Sequence, residues 1–555
     1  MKDEDGRDIG SAAISSQPKA ERTSDDPGSA ASSTQPGRPV GGSTPIRFRR
    51  VRHHLSRFSM AGSAMALVFY CLSLTPSLLP RAWFLQAVIS GIATALGYGF
   101  GVLVGWLARS LLPWRPSAEL RRRTWWGLAV VAVALLVLFT VLGARWQHQI
   151  RDLVGASEPS EAWYFPVATL ALLIAAGLVG LARALRRTVR RLAGLLGRFI
   201  PARAATAIGI IVVGALAVLI VDGVLYHVVI STANRAFEGV DQQTTPGTVP
   251  PTSAARSGSP ASLISWTTLG RQGRDFVAGG PSSTQISAFT GHPALEPIRV
   301  YSGLESASSP RDAAALVVKE LDRTGAFSRQ ALVVATTTGT GWLNPDIVDP
   351  LEYMYGGDTA EAGMQYSYLP SWVSFLVDKD NARTAGQELF DQVHARWSQL
   401  PPDHRPMLVV FGESLGSFGG EGAFSGTEDI TNRTNGVVWV GPPNSNELWR
   451  RFVANRDPRT PEWLPTYQAG QTVRFAADPS DLNRPSTSWT TPRVVYLQHA
   501  SDPITWWSPR LVLHKPDWLR EPPGRDVLPS MRWYPLVTFW QVSADMVFAV
   551  DVPPG

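Results

Sequence analysis

A chain of 555 residues is too long for one ordinary domain, and its 45% hydrophobic content is concentrated before residue 235. The formal charge of +6 comes from arginines placed beside apolar runs rather than along a soluble face, which argues against nucleic-acid binding and makes the charge a topology signal. The single cysteine, Cys71, lies in an apolar stretch, so no intrachain disulfide or thiolate metal site is available.

Residues 1–50 are expected to be a disordered cytoplasmic tail. Up to residue 45 they are rich in Ser, Pro, Gly, Asp and Glu and cannot bury enough apolar surface to offset ordering entropy. Residues 51–235 follow as a five-span transmembrane module. A membrane-crossing helix needs about 20 mostly apolar residues, and stretches near 60–79, 83–107, 125–143, 163–182 and 206–229 meet that demand. Arg47, Arg49, Arg50, Arg52 and Arg57 precede the first span. Arg109, Arg115, Arg121, Arg122 and Arg123 separate the second from the third, and Arg183, Arg186, Arg187, Arg190, Arg191, Arg198 and Arg203 the fourth from the fifth. The other two connections hold only Arg81, and then Arg145 with Arg151. Alternate basic loops put the N-terminus in the cytoplasm and everything after residue 230 outside the cytoplasmic membrane. Gly97, Gly101 and Gly105 share one face of the second span and invite a close helix neighbour, in the same bundle or in a homo-oligomer. Asp222 and His227 are the notable polar residues of the fifth span, a candidate functional pair or, in its outer half, an interfacial pair that reaches water or headgroups.

Residues 236–262 read as a linker by composition, with Gln242-Gln243-Thr244-Thr245-Pro246-Gly247 followed by Pro250-Pro251. From 263 to 555 short β-branched runs alternate with helical segments, the pattern of a mainly parallel sheet with flanking helices. The clearest strands are 298–301, 331–335, 407–411, 437–440 and 493–497. Segments 312–324 and 387–397 have helical spacing.

The most informative motif is Gly412-Glu413-Ser414-Leu415-Gly416, directly after the apolar run 407–411. A strand delivering G-x-S-x-G to a sharp turn that opens a helix is a nucleophile elbow, with Ser414 the expected nucleophile. After strand 493–497 comes His499-Ala500-Ser501-Asp502-Pro503. It places Asp502 where the acid of an α/β-hydrolase falls in chain order, although a residue before proline also suits a plain turn. Thr338-Gly339-Thr340-Gly341-Trp342 is a candidate oxyanion loop, with Gly339 or Thr340 acting beside the Leu415 N–H, or else an ordinary turn. Of His292, His394, His404, His499 and His514, only His514 follows Asp502, by twelve residues. That interval is short for a helix, a strand and a base-bearing loop, so His514 stands as a candidate base beside its reading as a surface or core histidine. Trp506, Trp507, Trp518 and Trp533 suit either an acyl pocket or plain core. There is no H-E-x-x-H, P-loop or dinucleotide fingerprint, so no metal and no organic cofactor are expected.

Residues 50–555 resemble a bacterial family of membrane-anchored α/β-hydrolases that joins a multi-span N-terminal module to an extracytoplasmic hydrolase-like domain. The likeness rests on Leu269-Gly270-Arg271-Gln272-Gly273-Arg274-Asp275-Phe276-Val277, Thr338-Gly339-Thr340-Gly341-Trp342, Gly412-Glu413-Ser414-Leu415-Gly416-Ser417, Gly441-Pro442-Pro443 and Thr538-Phe539-Trp540-Gln541-Val542. The resemblance implies a histidine-bearing segment just after a Pro-Pro-Gly turn, and Val552-Pro553-Pro554-Gly555 are the last residues here. The hydrolase-like domain, 263–555, is therefore expected to be C-terminally incomplete or a variant without its base. Two functions follow as expectations. The first is a serine hydrolase or acyltransferase of esterase or lipase type, bound to the lipid bilayer and acting on an acyl ester, lipid or envelope component. The second is a catalytically inactive relative that binds a ligand or partner.

Overall fold

The computed structural model describes residues 58–111, 117–156, 165–219 and 227–548. The expected tail and the final Pro-Pro-Gly turn lie outside them. Five helices come first: α1 (Met60–Ser73), α2 (Trp83–Leu111), α3 (Ala118–Val154), α4 (Phe165–Leu196) and α5 (Ala202–Val218).

Among the described residues three helices, not the five expected, are long and apolar enough to cross a membrane: Trp83–Leu111, Ala118–Val154 and Pro166–Leu196. Helix α1 has 14 residues, about 21 Å, short of a hydrocarbon core of about 30 Å. It stops because Pro76 and Pro80 follow, and the rest of the expected 60–79 span becomes a buried loop. Helix α5 has 17 residues. The expected fifth span continues through 220–226, Asp222 included, outside the described residues, and the described helix α6 spans His227–Asp241.

The glycine face of α2 is filled from within the chain. A Cβ on Gly101 would lie 2.3 Å from the Ala61 carbonyl oxygen, and one on Gly97 2.7 Å from that of Met65. Within the chain, the neighbour that this face accommodates is α1.

Seven parallel strands form one sheet in the order β1-β3-β2-β4-β5-β7-β6. They are β1 (Ile298–Ser302), β2 (Ala331–Thr336), β3 (Thr359–Met364), β4 (Met407–Glu413), β5 (Gly436–Val440), β6 (Val473–Ala476) and β7 (Arg493–Leu497). An all-parallel sheet must be covered on both faces. Leu408 and Val410 belong to one cluster with Val334, Phe390 and Trp439, while Phe411 belongs to another with Val333, Ala335 and Tyr301. The segment read as a linker is ordered where it meets β1. Arg256 bridges to Arg299, the Ser257 N–H donates to the Arg299 carbonyl at 3.0 Å, and the buried Arg256 guanidinium donates to Val277 O. Its polar groups find backbone partners at the sheet edge, which composition does not foretell.

The last described helix, Thr538–Phe548, seats the hydrolase-like domain on the bundle. Asp545 accepts from Arg81 Nε at 2.6 Å, from the Leu78 N–H at 3.1 Å and from Ser77 Oγ. Gln541 Nε2 donates to Thr75 O at 3.0 Å. Leu78, in the loop between α1 and α2, joins the main core cluster of the hydrolase-like domain.

Candidate active site

Register fixes the site. Thr336 of β2 pairs with Gly412 of β4, Glu413 with Val440 of β5, and Val440 with Leu497 of β7, so the carboxyl ends of four strands share one edge. In open α/β sheets that edge is where ligands bind.

At the end of β4 the chain turns so sharply that Ser414 takes φ 52°, ψ −122°, and Leu415–Glu421 leaves at once as a helix. A side chain in this region is strained by about 1–3 kcal/mol and persists only where its surroundings enforce it. The glycines show how they do. A Cβ on Gly412 would lie 2.5 Å from Gly416 O, and one on Gly416 2.2 Å from Thr336 O, so strand, turn and helix close only with hydrogens at both positions. The Ser414 N–H donates to Val440 O at 2.8 Å, and its carbonyl accepts from Ser417 Oγ at 2.7 Å.

Asp502 stands beyond the end of β7. Its Oδ1 accepts from the Ile504 N–H at 2.9 Å and its Oδ2 from Thr505 Oγ1 at 3.2 Å. It thus also caps the short helix Pro503–Trp506. Gly441, at the end of β5 with φ 52°, lies against it: a Cβ there would be 2.9 Å from Asp502 Oδ2. Only β5 separates β4 from β7. The loops that carry Ser414 and Asp502 therefore leave strands two spacings, about 10 Å, apart.

Glu413 emerges as a site group that motif reading passed over. Burial pushes its carboxyl up to about 7, the Asn344 side chain opposes the rise, and the charges of Asp502 and Asp346 add to it. Its Oε2 is buried without a partner. The signal was the second letter of the motif, an acid where the turn offers no cation. Burial also raises the Asp502 carboxyl, against the Ile504 N–H and the Thr505 hydroxyl.

The candidate oxyanion loop, 338–342, starts beside the elbow, since Gly416 packs on the carbonyls of Thr336 and Thr337 just before it. Tyr301 Oη donates to Gly341 O at 2.6 Å and Gln365 Nε2 to Thr340 O at 3.2 Å, which hold the loop from behind. The Gly339 N–H is spent on Ser371 Oγ at 3.0 Å. Leu415 is the first residue of the helix, where a backbone N–H has no intrahelical partner.

The histidines are less well placed. His514 is exposed, its backbone N–H donates to Arg510 O at 2.8 Å, and no hydrogen bond among the described residues joins it to Asp502. His499 shares the Asp502 loop, but its ring is mostly in solvent and its Nδ1 lies 3.6 Å from Asp526 Oδ2. The Asp526 carboxylate raises the His499 imidazole. Asp526 also accepts from the Ser501 hydroxyl, at 2.6 Å.

The segments that follow Ser371, Gly441 and Asp502 in sequence form a crevice of about 460 Å³, lined by Phe375, Leu376, Asn444, Ser445, Trp507 and Pro509 among others. Of the tryptophans, Trp506 and Trp518 are core, while Trp507 is a crevice wall.

A parallel sheet that delivers a serine to a strained turn at its carboxyl edge, with an acid two strands away, has the architecture of an α/β-hydrolase. A family model described as Alpha/beta-hydrolase family matches residues 298–555, and one described as Alpha/beta-hydrolase family N-terminus matches residues 74–281. The chain belongs to this α/β-hydrolase family. No curated protein and no solved structure matches it.

Proposed function

We propose that the protein is a membrane-anchored serine hydrolase or acyltransferase of esterase or lipase type, acting on an acyl ester or thioester outside the cytoplasmic membrane. The observation that carries this reading is Ser414 at φ 52° between β4 and a helix. Ser414 Oγ attacks the substrate carbonyl while its proton passes to a base, and the tetrahedral intermediate collapses with loss of the alcohol or thiol. Water or an acceptor then attacks the acyl-enzyme, takes the acyl group and returns the proton to Ser414 Oγ. Leu415 N–H and Thr340, whose neighbour Gly339 is already engaged, are the assigned oxyanion donors, worth about 3 kcal/mol each. Asp502 orients the protonated base. The three long apolar helices, together with the shorter apolar α1 and α5, serve as the anchor, and the alternating basic loops supply its sidedness. A fluorophosphonate probe is expected to label Ser414 in membranes and to miss Ser414→Ala. Equal labelling of the two proteins rejects Ser414 as nucleophile.

A second reading, a hydrolase-like ligand binder without turnover, is favoured by one observation. Both Asp502 oxygens are engaged by its own loop, and no imidazole among the described residues is hydrogen-bonded to it. Hydrolysis of a p-nitrophenyl ester by wild type and not by Ser414→Ala excludes it.

A further inference from the structure

The crevice that Phe375, Asn444 and Trp507 line abuts the part of the domain that grips the bundle. Each of its walls continues a loop that bears a site residue. Phe375 and Leu376 follow Ser371, the acceptor for Gly339; Asn444 and Ser445 follow Gly441; Trp507 and Pro509 follow Asp502. An aromatic series leads from it towards the anchor. Phe375 and Trp507 meet edge to face at 5.7 Å, Trp507 and Phe539 lie 5.7 Å apart, and Trp507 Nε1 donates to Ser543 Oγ at 2.8 Å. Phe539 and Ser543 belong to the helix whose Gln541 and Asp545 hold the α1–α2 loop.

The chain just before that helix runs down the side of the bundle. Val537 is fully buried against Phe69 of α1 and Ala93 of α2, with Tyr534 and Leu536 packed on the same cluster. Ala93 lies ten residues into α2, about 15 Å from its outer end. A helix of 29 residues exceeds the hydrocarbon core by about 14 Å in all, so this contact sits below the polar boundary of a bilayer centred on α2. Leu536 is held there at φ 65° and donates its N–H to Val512 O at 2.8 Å. The neighbouring Leu513 is 74% exposed, with Arg510 and Lys515 beside it in sequence. An apolar tip flanked by basic side chains suits an interface where leucine enters acyl chains and cations meet phosphates.

We propose that the substrate is an ester-linked lipid of the bilayer that holds the bundle, and that its acyl chain enters the crevice from the membrane side, between 375–380 and 507–509. This rests on the serine-hydrolase reading for its chemistry, but its geometry is tested without turnover. The crevice volume falls in the range of small-molecule sites. Phe375, Leu376, Val377 and Trp507 offer the chain an apolar wall, and Asp378, Lys379 and Arg450 give the headgroup a polar rim.

The full chain is reconstituted in phosphatidylcholine–phosphatidylglycerol vesicles doped with a phosphatidylcholine that carries a diazirine on its acyl chain, then irradiated and mapped by peptide mass spectrometry. Adducts are expected in peptides covering 371–380 and 503–513 as well as on α2 to α4. Leu376→Arg, at a side chain already 49% exposed, is expected to cut the crevice adducts at least fivefold and leave the bundle adducts unchanged. Adducts confined to the bundle overturn the proposal, as does a crevice yield that ignores Leu376→Arg. Fluorophosphonate labelling of Ser414 in the same vesicles reads the hydrolase assignment separately, so either idea can fail while the other stands.

Discussion

Arg81 and Asp545, 464 positions apart in sequence, meet at 2.6 Å with neither side chain reaching solvent, and so join the N-terminal helical bundle to the last described helix. Removing one partner of such a pair leaves the other charged and dry. Asp545→Ala is expected to cost about 3–5 kcal/mol, read as a lowered Tm of the purified protein in detergent. The double replacement Arg81→Met with Asp545→Leu should cost less than either single truncation, because an apolar pair carries no desolvation debt. A double variant as unstable as the sum of two singles would mean that the pair does not act as a unit.

Ser414 is strained because it carries a side chain. Ser414→Gly relieves the φ 52° backbone, whereas Ser414→Ala keeps the Cβ. Relief of about 1–3 kcal/mol, less the entropy that a glycine adds to the unfolded chain, leaves Ser414→Gly more stable than Ser414→Ala by about 1 kcal/mol. Both variants lose fluorophosphonate labelling. A lower Tm for the glycine variant would show that the turn is not strained.

Much of this architecture was readable from local pattern. β1, β2, β4, β5 and β7 are dense in β-branched or aromatic residues and announce themselves, as does the elbow, whose motif is contiguous. β3 and β6 do not. β3 (Thr359–Met364) carries alanines, a glycine and the fully buried Glu361, and is a strand because β1 and β2 flank it. β6 has only four residues. The nearness of Glu413 to Asp502 was illegible because it depends on β7 lying next to β5 while β6 takes the edge, an order set by tertiary packing. The three-helix span set differs from hydropathy because a window of apolar residues does not register the prolines that end α1.

Burial raises three carboxyls of the hydrolase-like domain, Glu413, Glu421 and Glu462, from 4.5 to about 7. Between those values the folded state holds protons that the unfolded state has released, so stability is greatest below 4.5 and falls as pH rises through about 7. Each group accounts for about 3 kcal/mol across that interval. Glu421 is the cleanest to test. It ends the helix that follows Ser414, is buried against β7, accepts from the Leu448 N–H at 2.5 Å and from Tyr496 Oη at 3.0 Å, and has no charge partner among the described residues. Glu421→Gln is expected to shrink the drop in Tm between pH 5 and pH 8. An undiminished drop would mean that Glu421 is ionised throughout.

Gly441 and Gly291 both have positive φ, 52° and 74°, but only Gly441 touches the site. A Cβ at Gly441 would meet Asp502 Oδ2 at 2.9 Å, whereas one at Gly291 meets nothing within 4 Å. An alanine in the left-handed region costs about 1–2 kcal/mol wherever it is placed, so the two substitutions should lower Tm alike. Their effects on Ser414 should differ. In Gly441→Ala the carboxylate must shift by a few tenths of an ångström away from the β5 end, and with it whatever base it orients. A misplacement of about 1 Å can cost about 100-fold in rate, so a shift of a few tenths costs roughly severalfold. Fluorophosphonate labelling is therefore expected to fall severalfold in Gly441→Ala and to match wild type in Gly291→Ala. Equal labelling of the two variants would show that Asp502 does not act on Ser414 and would reduce it to the cap of its own short helix.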